Sequence, residues 1–117
     1  MRIGAAQIPV TTNVEDNLKN ILEACDWAVK NKLDYLLTPE CALSGYDTMT
    51  WNLNTCGPTE QAMEKLKEYS KKTGLGLAIG TLWIYDKDNQ STGFGNGITR
   101  NQLTFIQKGE IIGYVAK

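Results

Sequence analysis

Leu33-Asp34-Tyr35-Leu36-Leu37-Thr38-Pro39-Glu40 is a short apolar run closed by a proline. Leu33 to Thr38 shows no helical period and suits a buried strand. Pro39 has no N–H to donate and fixes its own φ, so a central ladder cannot continue through it. The chain must leave the sheet there. That puts the Glu40 carboxylate at the carboxyl end of the strand.

The flanking segments alternate with this strand. Arg2 to Val10 is a second apolar run, rich in small and β-branched residues and interrupted by Pro9. It reads as another buried strand. Thr12 and Glu15 match a capping box, in which hydroxyl and carboxylate each satisfy a free backbone N–H. Behind them Val14, Leu18, Ile21, Leu22, Cys25 and Val29 recur at helical spacing, which predicts a helix ending near Asn31. Glu40 to Cys56 has no clean period and contains Gly45, so it reads as a loop with at most one helical turn. Pro58 and Thr59 open a second helix with Ala62, Met63, Leu66 and Tyr69 on one face. Lys71 and Lys72 complement its negative end, and Gly74 suits the left-handed position beyond it.

Leu75 to Tyr85 is a third apolar strand, and Asp86 to Gly97 is a polar turn region. Asn101 to Gln107 and Glu110 to Val115 flank Lys108-Gly109, a hairpin signal. The order β-α-β-α-β, then β-β, predicts an α/β fold. Its sheet is mostly parallel, with right-handed crossovers and a C-terminal antiparallel hairpin. No repeat, low-complexity tract or linker divides residues 1–117, which read as one domain or a piece of one.

With 42% hydrophobic and 21% charged residues in 117, the chain can bury a small core. A net charge of −1 with scattered Lys and Arg gives no reason to expect nucleic acid or a membrane surface as partner. No apolar run is long enough to span a bilayer. Met1 to Pro9 is too short, and too interrupted by Gln7, for a signal peptide. The expected address is cytoplasmic, where the acceptor pattern Asn89-Gln90-Ser91 carries no meaning. Three irregularly spaced cysteines and no histidine disfavour the common metal sites, and an intracellular domain disfavours disulfides. Gly93-Phe94-Gly95-Asn96-Gly97 precedes no helix, so a phosphate-cradling loop fails in context and no cofactor is expected.

Ligands of open α/β sheets bind outside the carboxyl ends of the strands, where Glu40 falls. Partial burial there would raise its pKa and suit it to proton abstraction near neutral pH. Position alone says less: a Glu after a strand is more often solvated, and Lys117 alone is a charge at a chain end. Tyr46 is a candidate pocket residue, with packing under its loop as the equal alternative. Trp27, Trp51 and Trp83 read as core or loop anchors, Trp51 being the one placed to meet a substrate or a partner subunit.

Three segments, in the right order, resemble the nitrilase superfamily of carbon–nitrogen hydrolases. The first is Ile3-Gly4-Ala5-Ala6-Gln7 followed by a capped helix with Asn17 in its first turn. The second, and most specific, is Asp34-Tyr35-Leu36-Leu37-Thr38-Pro39-Glu40-Cys41-Ala42-Leu43-Ser44-Gly45-Tyr46. The third is Asn101-Gln102-Leu103-Thr104-Phe105-Ile106, a turn at Gly109, then Glu110-Ile111-Ile112-Gly113 and Lys117. One departure is that Val115 and Ala116 replace the aromatic-basic pair often seen before the lysine. The resemblance spans nearly the whole chain. It implies the N-terminal part of a nitrilase-type α-β-β-α sandwich with helices on one face of the sheet. A homo-oligomer is implied for the full-length protein.

The implied activity is hydrolysis of a small amide, carbamoyl compound or nitrile at a Glu-Lys-Cys site. Glu40 corresponds to the general base and Lys117 to the cation on the developing oxyanion, while Tyr46, just past Glu40, stays a candidate substrate-binding residue on position. A cysteine attacks the carbon and forms a thioester or thioimidate. That cysteine is expected downstream of the lysine, on a later strand-to-helix turn. Cys25 lies on the apolar face of the first helix, Cys41 adjoins Glu40 but should diverge from it, and Cys56 would react only if exposed. The expectation is therefore an incomplete product, a partial sequence or one piece of a split protein, inactive by itself. The competing reading is a truncated, non-catalytic paralogue acting as a binding module. The reading frame after Lys117 separates the two.

Overall fold

The computed structural model describes residues 1–46, 56–84 and 99–117. Its elements are β1 (Ile3–Ala5), α1 (Val14–Lys30), β2 (Tyr35–Leu37), α2 (Gly57–Thr73), β3 (Gly76–Ile84), β4 (Thr99–Gln107) and β5 (Glu110–Ala116). The strands form one sheet in the order β1-β2-β3-β4-β5. β1, β2 and β3 pair in parallel, and β4 and β5 follow antiparallel. This is the α/β architecture expected, with the hairpin at one edge. Lys108 (φ 51°) and Gly109 (φ 82°) are both left-handed, as a two-residue turn matched to strand twist requires.

The core lies between the sheet and its two helices. Ile21 of α1, Met63 and Leu66 of α2, and Leu36, Leu77, Ile79 and Ile106 of the sheet are fully buried together. Tyr69 Oη donates to Asp26 Oδ1 at 2.7 Å and ties α2 to α1. Gly74, at φ 80°, closes α2 in the left-handed position its sequence predicts. The other side of the sheet carries exposed apolar residues, among them Ile3 (61% exposed) and Val115 (63%).

Several local expectations are corrected. The helix cap is Asn13, whose Oδ1 accepts from the Asp16 N–H at 2.9 Å, and not Thr12. Thr11 and Asn13 bond one another, so the chain enters the helix one residue later than the capping-box pattern placed it. The opening strand is three residues at the sheet's edge rather than a long buried run, because only β2 flanks it. Val29 is 40% exposed and Trp27 56% exposed, so neither anchors the core, whereas Trp83 packs against it. Trp51, the Asn89 acceptor pattern and the Gly93–Gly97 segment lie outside the described residues. Among the described residues no helix is long and apolar enough to cross a membrane.

Candidate active site

Strand direction assembles the site. β2, β3 and β5 run one way and β4 runs the other. The carboxyl ends of β2 and β5 therefore meet the start of β4 at one end of the sheet. Glu40 follows β2, Asn101 lies near the start of β4, and Lys117 follows β5.

The turn carrying Glu40 is fixed from two sides. Thr38 N–H donates to Ala78 O at 3.0 Å, and its hydroxyl accepts from Gly80 N–H at 2.9 Å. The Thr38 hydroxyl thus extends the β2–β3 pairing past Leu37 by accepting the next β3 N–H. The turn lies directly on β3: a Cβ at Gly80 would collide with the Pro39 carbonyl oxygen. Leu43 N–H donates to Gly80 O at 3.0 Å, and Leu82 N–H donates to Ser44 Oγ at 2.8 Å. From the other side, fully buried Asn17 donates to Thr11 O (2.8 Å) and Leu43 O (3.0 Å) while accepting from Thr11 N–H (2.8 Å). Gly45, at φ 82°, lies so close to Thr11 O that a side chain there would collide. Gly80→Ala is expected to destabilise the protein by roughly 1–3 kcal/mol, because backbone rather than a flexible side chain must move. The denaturant midpoint measures it, and an unchanged midpoint contradicts this packing.

The charges then converge on one atom. Lys117 Nζ donates to Glu40 Oε1 at 2.9 Å, and Asn101 Nδ2 donates to the same oxygen at 2.7 Å. Lys117 N–H donates to Asn101 O at 2.8 Å, which pins the lysine backbone opposite the asparagine. The hydrogen bond from Lys117, then that from Asn101, then the lysine charge hold the Glu40 carboxyl below its ordinary range. Glu40 correspondingly raises the Lys117 ammonium. The sequence-based expectation of a raised Glu40 is therefore reversed. Its side chain is 41% exposed, and two donors outweigh the small desolvation.

Thr38, Glu40, Gly80, Asn101, Leu103 and Lys117 line an open cleft of about 510 Å³, with Val115 and Ala116 adding apolar wall. Tyr46 is 56% exposed and stands within electrostatic reach of Glu40 and Lys117, but outside the described lining of the cleft.

All three thiols are free and buried. Burial pushes Cys25 up to about 12, and burial with the Glu40 charge pushes Cys41 up to about 11. Such thiols are protonated at neutral pH and are poor nucleophiles. Cys56 is not the exposed loop residue its reactivity would need; it starts α2 with Sγ 3.6 Å from Glu60 Oε1. Asn101 and Gly80 received no role from sequence. An unbroken count from the turn pairs Asn101 with Ala116. The register shift between Phe105 and Ile106 is what brings Asn101 opposite Lys117, and nothing local in the sequence marks it.

A sequence model of the family described as carbon–nitrogen hydrolase matches residues 2–117. The chain is 28% identical over 111 residues to Nitrilase homolog 2 of Dictyostelium discoideum, covering 95% of this chain and 32% of that protein. It is 31% identical over 84 residues to a deaminated glutathione amidase of the same organism, covering 68% of this chain and 29% of that protein. The chain thus spans about a third of the length of these relatives. Among solved structures, an amidase from Nesterenkonia sp. superposes with a TM-score of 0.79 at 18% identity, over 100% of this chain and 42% of that one. A glutamine-dependent NAD(+) synthetase from Cytophaga hutchinsonii gives 0.73 at 26% identity, over 100% and 19%.

Proposed function

The chain belongs to the carbon–nitrogen hydrolase family, and on that premise we propose that it is the N-terminal part of a thiol-dependent hydrolase of a small amide, carbamoyl compound or nitrile. Glu40 is its general base and Lys117 its oxyanion cation. The observation that carries this reading is the 2.9 Å ion pair between two residues 77 apart in sequence, at the carboxyl ends of their strands.

The chemistry follows from the two charges. Glu40, anionic at neutral pH, takes the thiol proton as sulfur attacks the substrate carbon. Lys117 donates to the oxygen or nitrogen on which negative charge develops. With an amide or carbamoyl compound Glu40 returns the proton to the leaving amine. With a nitrile the proton goes to the thioimidate nitrogen, which leaves as ammonia once water has added. In each case Glu40 deprotonates the water that cleaves the thioester. The thiol comes from residues outside these 117, because Cys25, Cys41 and Cys56 are all buried and the Cys25 and Cys41 thiols are pushed up. Membership of a homo-oligomer belongs to the same reading, as does a cytoplasmic setting.

The test is intact-mass trapping of the covalent intermediate in the complete protein, followed by peptide mapping. The adduct is expected on a cysteine beyond residue 117, and an adduct on any of the three cysteines here overturns the assignment. The exposed apolar side of the sheet favours a second reading, a non-catalytic binding module. A complete protein that binds but never turns over amides or nitriles supports that reading instead.

A further inference from the structure

Glu40 has two carboxylate oxygens, and the structure treats them differently. Both donors, Asn101 Nδ2 at 2.7 Å and Lys117 Nζ at 2.9 Å, engage Oε1. Among the described residues nothing donates to Oε2. Two donors on one oxygen restrict the carboxylate and leave Oε2 as the oxygen open to accept a proton. The Asn101 amide is itself held. Its Oδ1 is 3.6 Å from the Cys41 Sγ, within reach of an S–H donor. Cys41 is buried, packs with Cys56 and Leu82, and is not among the described residues lining the open cleft.

We propose that Asn101 is a positioning residue that fixes the Glu40 carboxylate by Oε1 so that Oε2 is the proton-accepting oxygen, and that the Cys41 thiol sets which way the Asn101 amide faces. The order is Cys41 S–H to Asn101 Oδ1, then Asn101 N–H to Glu40 Oε1. This gives a function to a cysteine that attacks nothing: it stays a protonated donor. An amide without that donor could turn its oxygen toward Glu40, setting acceptor against acceptor. The inference rests on Glu40 being the base, and it adds which oxygen acts and what orients it.

The groups facing Glu40 are Lys117 from β5, Asn101 from β4, and Cys41 and Tyr46 from its own turn. The experiment is a carbon-13 titration of the Glu40 carboxyl in the complete protein, assigned by the signal lost in Glu40→Gln. It needs no substrate, so its outcome is separate from whether the protein turns over. Asn101→Ala is expected to raise the midpoint by about one pH unit, because the anion loses a donor. Cys41→Ala should raise it part of the way, and Cys41→Ser, which keeps a donor, should restore the wild-type value. An Asn101→Ala midpoint equal to wild type overturns the positioning role, and a Cys41→Ala midpoint equal to wild type overturns the part given to the thiol. If Asn101→Ala does not fold by circular dichroism, the isosteric Asn101→Asp replaces it. That variant must raise the midpoint further, and no rise there overturns the proposal equally.

Discussion

Glu40→Gln is expected to cut turnover of the complete protein by about 10²–10⁴-fold, the range that a positioned general base contributes. Glutamine is isosteric, and its amide oxygen still accepts from Asn101 and Lys117. What disappears is the proton acceptor. Folding should be unaffected, because the Glu40–Lys117 pair is solvent-exposed and such pairs contribute little to stability. Circular dichroism and the denaturant midpoint then serve as controls for the kinetic loss. The wild-type pH profile carries a second signature. The base form exists above the folded pKa of Glu40, which its two donors lower from 4.5. Activity must therefore persist as pH falls below the ordinary carboxylate value, and fade only through the depressed pKa. The acid limb of kcat/KM reports this group in the free enzyme. Retained turnover in Glu40→Gln, or an acid limb well above 4.5 in the wild type, removes Glu40 from its role.

The features written in local sequence were legible before any coordinates. Pro39 marks where the β2 ladder must stop, and Gly109 marks the hairpin turn whose left-handed backbone is observed. Once strands and hairpin were placed, their directions alone brought Glu40 and Lys117 to one end of the sheet. What escaped was set by contacts distant in sequence. The helix is capped by Asn13 rather than Thr12 because Thr11, itself held by Asn17, bonds Asn13. Gly80 reads as an ordinary interruption of an apolar strand, yet it is the position where the Pro39–Glu40 backbone lies on β3. The sign of the Glu40 shift was missed for the same reason. Sequence suggested burial beside a strand end. It did not supply the Asn101 donor, which comes from a residue 61 positions away.

Lys117→Met should cost about 10²–10³-fold in kcat, the usual loss on removing one donor from a developing oxyanion, with little change in KM. The same substitution strips Glu40 of its largest stabilising partner, so the acid limb of the pH profile must move up. Two effects from one change separate this role from simple damage, which would not shift a titration in a stated direction. Lys117→Arg is the sharper variant. It keeps the charge, yet a guanidinium is a planar fork that binds both oxygens of a carboxylate. It would engage Oε2 as well as Oε1 and block the oxygen that must take the proton. Arginine is therefore expected to restore the low position of the acid limb without restoring kcat. An arginine variant as active as wild type would mean that charge alone suffices and that the single-oxygen contact seen here has no part in the chemistry. The double variant Glu40→Gln/Lys117→Met should lose little beyond the worse single variant, because groups acting on one step are not additive.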